Sequence, residues 1–404
     1  MIARVMDDAR AGKHDLREED LSGFKFFKPI LKMLDRLHQQ ATARDKAHNR
    51  TLHYDQHVAL ILLYFFNPIV SSLRSIVSAS KLKKVQKKLN CARSSLGSLS
   101  EANRLFDADL LLAILGELAG QCRPVGHDPR LSEVKGILTL VDGTLLKALP
   151  RLVEAMWLDE KNKAFKLHTH FELLKGVPVG MTLSDANTSE WKTLAGSLLA
   201  ERVYVMDRGY ACFELFNLIM DARSSFVCRV RDNSVYQVLE ERVVTPEAAE
   251  AGVISDRIVM LGCDTAEHKP TRRLRLIEIR CTPHRKRMHG GRGGPRQGEV
   301  LLIATDLLDL PAEVIGLIFK CRWEIEIFFR FFKHVLGCRH LLAHNANGIR
   351  IQTYSAIIAC LLIALWTGNK PTLRTYEMIC FYFTGLADEE ELDAHLSGLK
   401  TQPA

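Results

Sequence analysis

Hydrophobic positions recur at two different spacings along this 404-residue chain. Up to about residue 130, the apolar residues of Phe24–Leu37 and Tyr54–Phe66 return every three to four positions and proline is rare, which predicts helices. Between Arg74 and Arg93, Leu82, Val85 and Leu89 mark the buried stripe of one helix. Its remaining positions carry Arg74, Lys81, Lys83, Lys84, Lys87, Lys88 and Arg93 with no acid among them. The Ser/Gly/Asn-rich stretch Cys91–Asn103 is expected to break that helix. From residue 131 the pattern turns to short β-type runs. Gly136–Leu146 reads as a strand interrupted by an aspartate, and Ala164–Leu174 and Val179–Ser184 as a hairpin around Lys175-Gly-Val-Pro178. A helix (Glu190–Ala200), a strand (Arg202–Met206), a helix (Cys212–Arg223) and a strand (Ser225–Arg231) follow. The order β-ββ-α-β-α-β predicts an α/β layer with a mixed sheet.

Residues 233–300 change style again, with β-type pieces at Val235–Leu239, Arg257–Leu261 and Leu274–Arg280. A loop from His284 to Gly298 carries Gly290, Gly291, Gly293, Gly294 and five Arg or Lys, either tracking a polyanion or idle in solvent. Strand Val300–Ala304 and a long helix from Pro311 resume the earlier style, so 233–300 reads as an insertion. An apolar helix, Ile351–Trp366, and a solvated acidic run, Asp388–Asp393, complete the chain. The expected organisation is a helical region 1–130, a core 131–232 and 301–345 split by the insertion 233–300, and a helical region 346–404.

Composition narrows the class. Apolar residues are 47% and charged residues 25%, which excludes a disordered or collagen-like chain. Lys and Arg number 55 against 47 Asp and Glu, a net charge of +8 that leans toward a polyanionic partner. The basic segment 74–93 suits a DNA-docking helix or a solvated lysine-rich face equally. The longest apolar runs, Val58–Phe66 and Tyr354–Trp366, fall short of the ~18 residues of a membrane span. The charged N-terminus has no secretory h-region, and the ten cysteines are scattered singly. A cytoplasmic protein with reduced thiols and no membrane partner is expected.

Phosphate-loop, H-E-x-x-H and G-x-S-x-G signatures are absent. Three carboxylates stand out instead. Asp142 interrupts the apolar strand Leu138-Thr-Leu-Val-Asp142, and Asp207 ends the strand Val203-Tyr-Val-Met. Each alone could be a turn residue, but two on neighbouring strands of one sheet must be paired or hold a metal, because a buried charge is costly. Carboxylate oxygens suit Mg²⁺ or Mn²⁺. The third acid comes from Phe319–Lys333, read as one helix. At 100° per residue from Phe319, Arg322 falls at about −60°, Glu326 at about −20°, Arg330 at about +20° and Lys333 at about −40°. Ile325, Phe328, Phe329, Phe331, Phe332, Val335 and Leu336 cover the far side, and Glu324 lies near +140°. Glu326, not Glu324, is therefore the candidate; the bland alternative is a surface Arg322–Glu326 pair. His168 and His170 alternate on a strand and face one side. Asp185, Asn187 and Glu190 read as caps of the helix bearing Trp191, close enough to back the site.

Asp207 follows Asp142 by 65 positions (142 to 207), and Glu326 follows Asp207 by 119 (207 to 326). That order, the Asp207-Arg-Gly-Tyr210 strand end and the helix with Arg322, Glu326 and Lys333 resemble the DDE transposases of bacterial insertion sequences. The resemblance is to the family numbered four, with its Y-x2-R-x3-E-x6-K signature and its insertion before the Glu. It covers residues 130–345. It implies an RNase H-like core in which Asp142, Asp207 and Glu326 hold two divalent ions, Mg²⁺ or Mn²⁺. It implies cleavage at element ends and attack of the freed 3′-hydroxyls on target DNA, with Arg322 and Lys333 on backbone phosphate; Arg330, on the same helix face, is a further DNA-binding candidate. Double-stranded DNA, gripped also by Lys83, Lys84, Lys87 and Lys88, is the expected partner, in a homodimer that brings two ends together. Two departures are visible. Phe319 stands where Tyr is usual, and none of the four tryptophans (Trp157, Trp191, Trp323, Trp366) lies in 233–300, where relatives grip a flipped base and this chain offers Tyr236. The rivals are a nuclease without strand transfer and an inactive, transposase-derived DNA-binding protein.

Overall fold

A computed structural model describes residues 27–40, 51–148, 156–157, 163–281, 298–334, 337, 342–343 and 345–400. The Gly/Arg loop from His284 lies outside them up to Gln297, as do Val335 and Leu336. The chain divides into two compact units, one of Met1–Val125, Leu146–Phe165 and Phe329–Ala404, the other of Gly126–Leu145 and Lys166–Phe328.

The strands are β1 (Ile137–Ala148), β2 (Met156–Trp157), β3 (Lys163–Glu172), β4 (Val177–Asp185), β5 (Arg202–Met206), β6 (Ser225–Arg229), β7 (Tyr236–Arg242), β8 (Val253–Leu261), β9 (Leu274–Arg280) and β10 (Val300–Thr305). Among the described residues they form one sheet in the order β2-β3-β1-β5-β6-β10-β9-β8-β7, with β4 also on β3. β1, β5 and β6 run parallel, and β10 is antiparallel to both β6 and β9. Hairpin, then parallel strands: this is the mixed sheet expected of an RNase H-like core. Leu138–Val141 and Val203–Met206 are buried without interruption, as strands covered on both faces must be. Over them Tyr204, Met206, Phe216, Ile219 and Phe226 make a common core, with Phe216 and Phe226 stacked at 4.2 Å. Among the described residues, the strands of 233–300 do not form a separate sheet. Through β10 their strands extend the core sheet, and the buried pair Asp256–Arg275 (2.6 and 2.8 Å) locks β8 to β9. Arg275 also donates to the carbonyls of Leu308 and Leu310.

In the other unit, helix Ala346–Thr367 packs on helices Tyr54–Phe66, Leu96–Leu105 and Leu110–Gln121. Its 22 residues are long and apolar enough to cross a membrane, more than the run Tyr354–Trp366 foretold. However, 89% of its apolar window is buried inside the protein, as in the core helix of a folded unit. Phe27, Phe66 and Phe383 cluster beside it with ring centroids 5.4–5.9 Å apart.

Three local expectations are corrected. The basic segment is two helices, Leu73–Ser80 and Lys83–Leu89, because Leu82 takes an extended conformation between them. Gln86 Nε2 donates to Ser80 O at 2.9 Å across that joint. The stretch expected to break the helix does follow its end at Leu89, but from Leu96 it also starts another, Leu96–Leu105, since Ser95 accepts from Ser98 N and caps it. Finally, the helix from Pro311 is divided into Ala312–Lys320 and Trp323–His334. Arg322 N, Glu324 N and Ile325 N each bond to the carbonyl three residues back, a tight turn that neither Pro nor Gly announces. Phe319 therefore cannot be placed on the face of Glu326 by counting.

Candidate active site

The offset of β1 against β5 runs from Ile137↔Arg202 to Leu140↔Val205, a constant 65 positions (137 to 202) that equals the separation of the two aspartates. Asp142 lies in β1 two residues beyond that register and Asp207 directly follows β5, so the same offset brings both aspartates to one end of two adjacent parallel strands. Asp142 Oδ1 accepts from Gly143 N at 2.7 Å. Asp207 leaves its strand to cap the turn Arg208–Tyr210, its Oδ1 accepting from Gly209 N at 2.7 Å.

Glu326 reaches this pair through Arg322. Nη2 of Arg322 donates to Glu326 Oε1 at 2.8 Å, and Nη1 lies 4.0 Å from Asp142 Oδ2. The helix that carries Glu326 is anchored by Ile325 and Phe328, both buried, with Phe328 against Phe171 of β3 at 5.5 Å. Phe329, Phe331 and Phe332 are also buried, as the helical face required. The Arg322 side chain is only 10% exposed and the Glu326 side chain 33%, so the pair is no surface ornament.

A fourth acid belongs to the group. Glu190 opens helix Glu190–Ala195 without capping it; Ser189 holds the cap position. A Cβ on Gly143 would come within 2.7 Å of Glu190 Oε1, and one on Gly209 within 3.4 Å of Glu190 Oε2. The carboxylate thus lies between the backbones that follow Asp142 and Asp207, and only glycine leaves it room at the first. Lys166 Nζ is 3.5 Å from Glu190 Oε1. An acid opening the helix before β5 was the sole sequence signal, and it reads as a cap. Asp185 and Asn187 are exposed.

Burial, with the charges of Asp207 and Glu190, pushes the Asp142 carboxyl up to about 7 against the pull of Gly143 N–H and Arg322. Tyr210, buried beneath, is held well above its ordinary value by desolvation, then by Glu190, Asp142 and Asp207. The negative charge that Arg322 and Lys166 leave uncompensated is what a divalent ion would relieve, and carboxylate oxygens suit Mg²⁺ or Mn²⁺. Among the described residues no three acid, His or Cys side chains stand as a ready-made cage.

His168 bonds Ser184 Oγ at 2.7 Å and His170 meets Ser197 Oγ at 3.3 Å. Burial first, then neighbouring cations, lowers both to about 4, so they are neutral packing residues at pH 7. Lys83, Lys87 and Lys88 are exposed and Lys84 half-exposed on their helix, while Arg330 is exposed and Lys333 half-buried in the part of Trp323–His334 belonging to the first unit. Tyr236 is half-buried in β7, its hydroxyl accepting from Arg257 Nη1 at 3.2 Å.

The transposase DDE domain family matches residues 135–362, more than half of the chain. Putative transposase y4zB of Sinorhizobium fredii is 27% identical over 271 residues, 66% of this chain and 70% of that one. A probable transposase for insertion sequence element IS5377 of Geobacillus stearothermophilus is 26% identical over 183 residues, 45% of this chain and 44% of its own. Among solved structures, a piggyBac transposase synaptic complex with hairpin DNA aligns at 12% identity and TM-score 0.38, over 93% of this chain and 84% of that one. The chain belongs to the DDE-domain transposases of insertion sequences.

Proposed function

We propose that this transposase cleaves phosphodiesters at the ends of its insertion element and joins the freed 3′-hydroxyls to target DNA, with Asp142, Asp207 and Glu326 as the catalytic acids. The observation that carries this reading is that β1 pairs with β5 in parallel at the same 65-position offset that separates Asp142 from Asp207, with Arg322 between Asp142 and Glu326. Two divalent ions held by these acids would supply Lewis-acid stabilisation of the attacking and leaving oxygens of an in-line displacement. Arg322 neutralises the acids while no phosphate is present and is the cation placed to hold a phosphate oxygen at the scissile position. Arg330 and Lys333, and separately Lys83, Lys84, Lys87 and Lys88, take backbone phosphate of the DNA. Two element ends need two protomers, so the working assembly is a homodimer on DNA in the cytoplasm, where the element's DNA lies.

The test uses the gene with its flanking DNA as substrate, purified full-length protein and Mg²⁺, with Glu326→Gln alongside. Breaks at flanking inverted repeats, joined to new DNA and absent in the variant, are the expected result. Cuts without joining would make it a nuclease, and binding without cuts would make it an inactive DNA-binding descendant.

A further inference from the structure

We propose that β7 is a self-pairing edge on which the β7 of a second copy of this chain lies antiparallel; this gives a contact to the two protomers of the function proposed above and rests on that reading. Among the described residues β7 closes the sheet beyond β8, with no strand on its outer side. Such an edge presents unpaired backbone N–H and C=O groups, which folded proteins ordinarily shield with charge or bury. Here Val238 and Leu239 are exposed within the strand, Val235 and Val243 just outside its two ends, and Ile254 on β8; Val243 is 90% exposed. Exposed aliphatic side chains gathered on one sheet edge mark a protein contact. The sequence of β7 matches itself. With Glu241 on a two-fold axis normal to the sheet, Glu240 faces Arg242 of the second copy and Arg242 faces its Glu240, while Leu239 and Val243 face each other likewise. Two ion pairs and two apolar pairs result. The axis pairs only positions of the same parity, so the neighbouring registers set Glu240 against Glu240 or Arg242 against Arg242, and like charges directly opposite are unfavourable. The two glutamates on the axis are each already held by Arg257 Nε at 3.0 Å. Arg242 Nη1 donates to Leu308 O at 2.6 Å, which holds its guanidinium in place at the edge. The register shift between Val238 and Glu240 bends the strand at Leu239 and confines the pairing to its C-terminal half. Duplex DNA would bring phosphates against Glu240 and Glu241, and the basic stretch 282–297 of this chain has Met288 as its one large apolar side chain, so a second copy is the better match.

The experiment is sedimentation velocity of the full-length protein without DNA, for wild type, Glu240→Arg, Arg242→Glu and an equal mixture of the two variants. A short strand pair is a small interface, so wild type should dimerise at ~10–100 µM. Each variant alone sets like charges against each other at both ion-pair positions and should raise that concentration ~10-fold or more. In the mixture the facing positions again carry opposite charges, so a heterodimer should form at about the wild-type concentration. Association unchanged in Glu240→Arg, or well-folded variants that do not associate when mixed, overturns the proposal; a dimer that persists leaves the two-protomer reading standing on another surface. Wild type that stays monomeric at ~100 µM overturns the proposal too. Wild type that is also monomeric on element-end DNA overturns the two-protomer reading itself. A changed DNA affinity in Glu240→Arg with unchanged association gives the edge to DNA instead. Thermal melts reveal any variant that misfolds. Should Arg242→Glu do so through loss of its Leu308 contact, Val243→Asp, which sets a charge against Leu239 of the second copy, replaces it and should weaken association in the same direction.

Discussion

Arg322 Nη2 donates a 2.8 Å hydrogen bond to Glu326 Oε1, four residues further on, while its Nη1 stands 4.0 Å from Asp142 Oδ2. One planar guanidinium therefore serves an acid on a helix and an acid on a strand. A lysine ammonium is a point charge and cannot span both. Arg322→Lys should lower single-turnover cleavage by ~10-fold or more while gel-shift affinity for element-end DNA changes only a few-fold. Wild-type cleavage in that variant would remove Arg322 from the site.

The helix Trp323–His334 separates two neighbouring glutamates. Glu326→Gln should reduce cleavage by ~10²–10³-fold or more with DNA binding retained. Glu324→Gln, on another face, should stay within about threefold of wild type. Equally dead variants would refute the separation of faces.

Asp142 gives the metal-free protein a pH signature. Its carboxyl titrates near 7 when folded, against an ordinary value of 3.8. A raised folded value means that the folded state holds the proton longer than the unfolded chain. Stability from this group is therefore greatest below about 4, falls as pH rises toward 7, and is lowest above it. In EDTA, Asp142→Asn should raise the melting temperature at pH 8 and lose that advantage progressively toward pH 4.5. A pH-independent difference would show that burial does not perturb Asp142.

Asp256 and Arg275 are 5% and 3% exposed and form a bidentate pair at 2.6–2.8 Å. Arg275→Met strands a buried carboxylate and should cost about 3–5 kcal/mol in urea unfolding. Asp256→Leu combined with Arg275→Met should recover part of that loss. A double variant less stable than Arg275→Met alone would mean that the carbonyl contacts of Arg275 outweigh the ion pair.

Neutralising Lys83, Lys84, Lys87 and Lys88 together should flatten the logarithmic salt dependence of DNA binding by up to about 3–4. An unchanged slope would leave these lysines as a solvated face.

Much of the fold was legible because its signals are local. Short β-type runs such as Leu138–Val141 and Val203–Met206 marked strands, and the 3.6-residue period placed Ile325, Phe328 and Phe332 inward. The 65-residue separation of Asp142 and Asp207 was visible too, but its meaning was not. Only strand pairing revealed that the same number is the register of β1 against β5. The turn at Cys321–Arg322 carries no Pro or Gly, and the approach of Arg322 to Asp142 joins residues far apart in the chain. Glu190 looked like a cap, since its nearness to Gly143 and Gly209 arises from three separate elements meeting. The sequence by itself determined the elements, the charge pattern and the family, because periodicity and motif spacing act within a few turns or strands. Tertiary structure decided which acids meet and that the strands of 233–300 extend the core sheet. Hydrogen-bond registers and buried ion pairs depend on segments that only folding brings side by side.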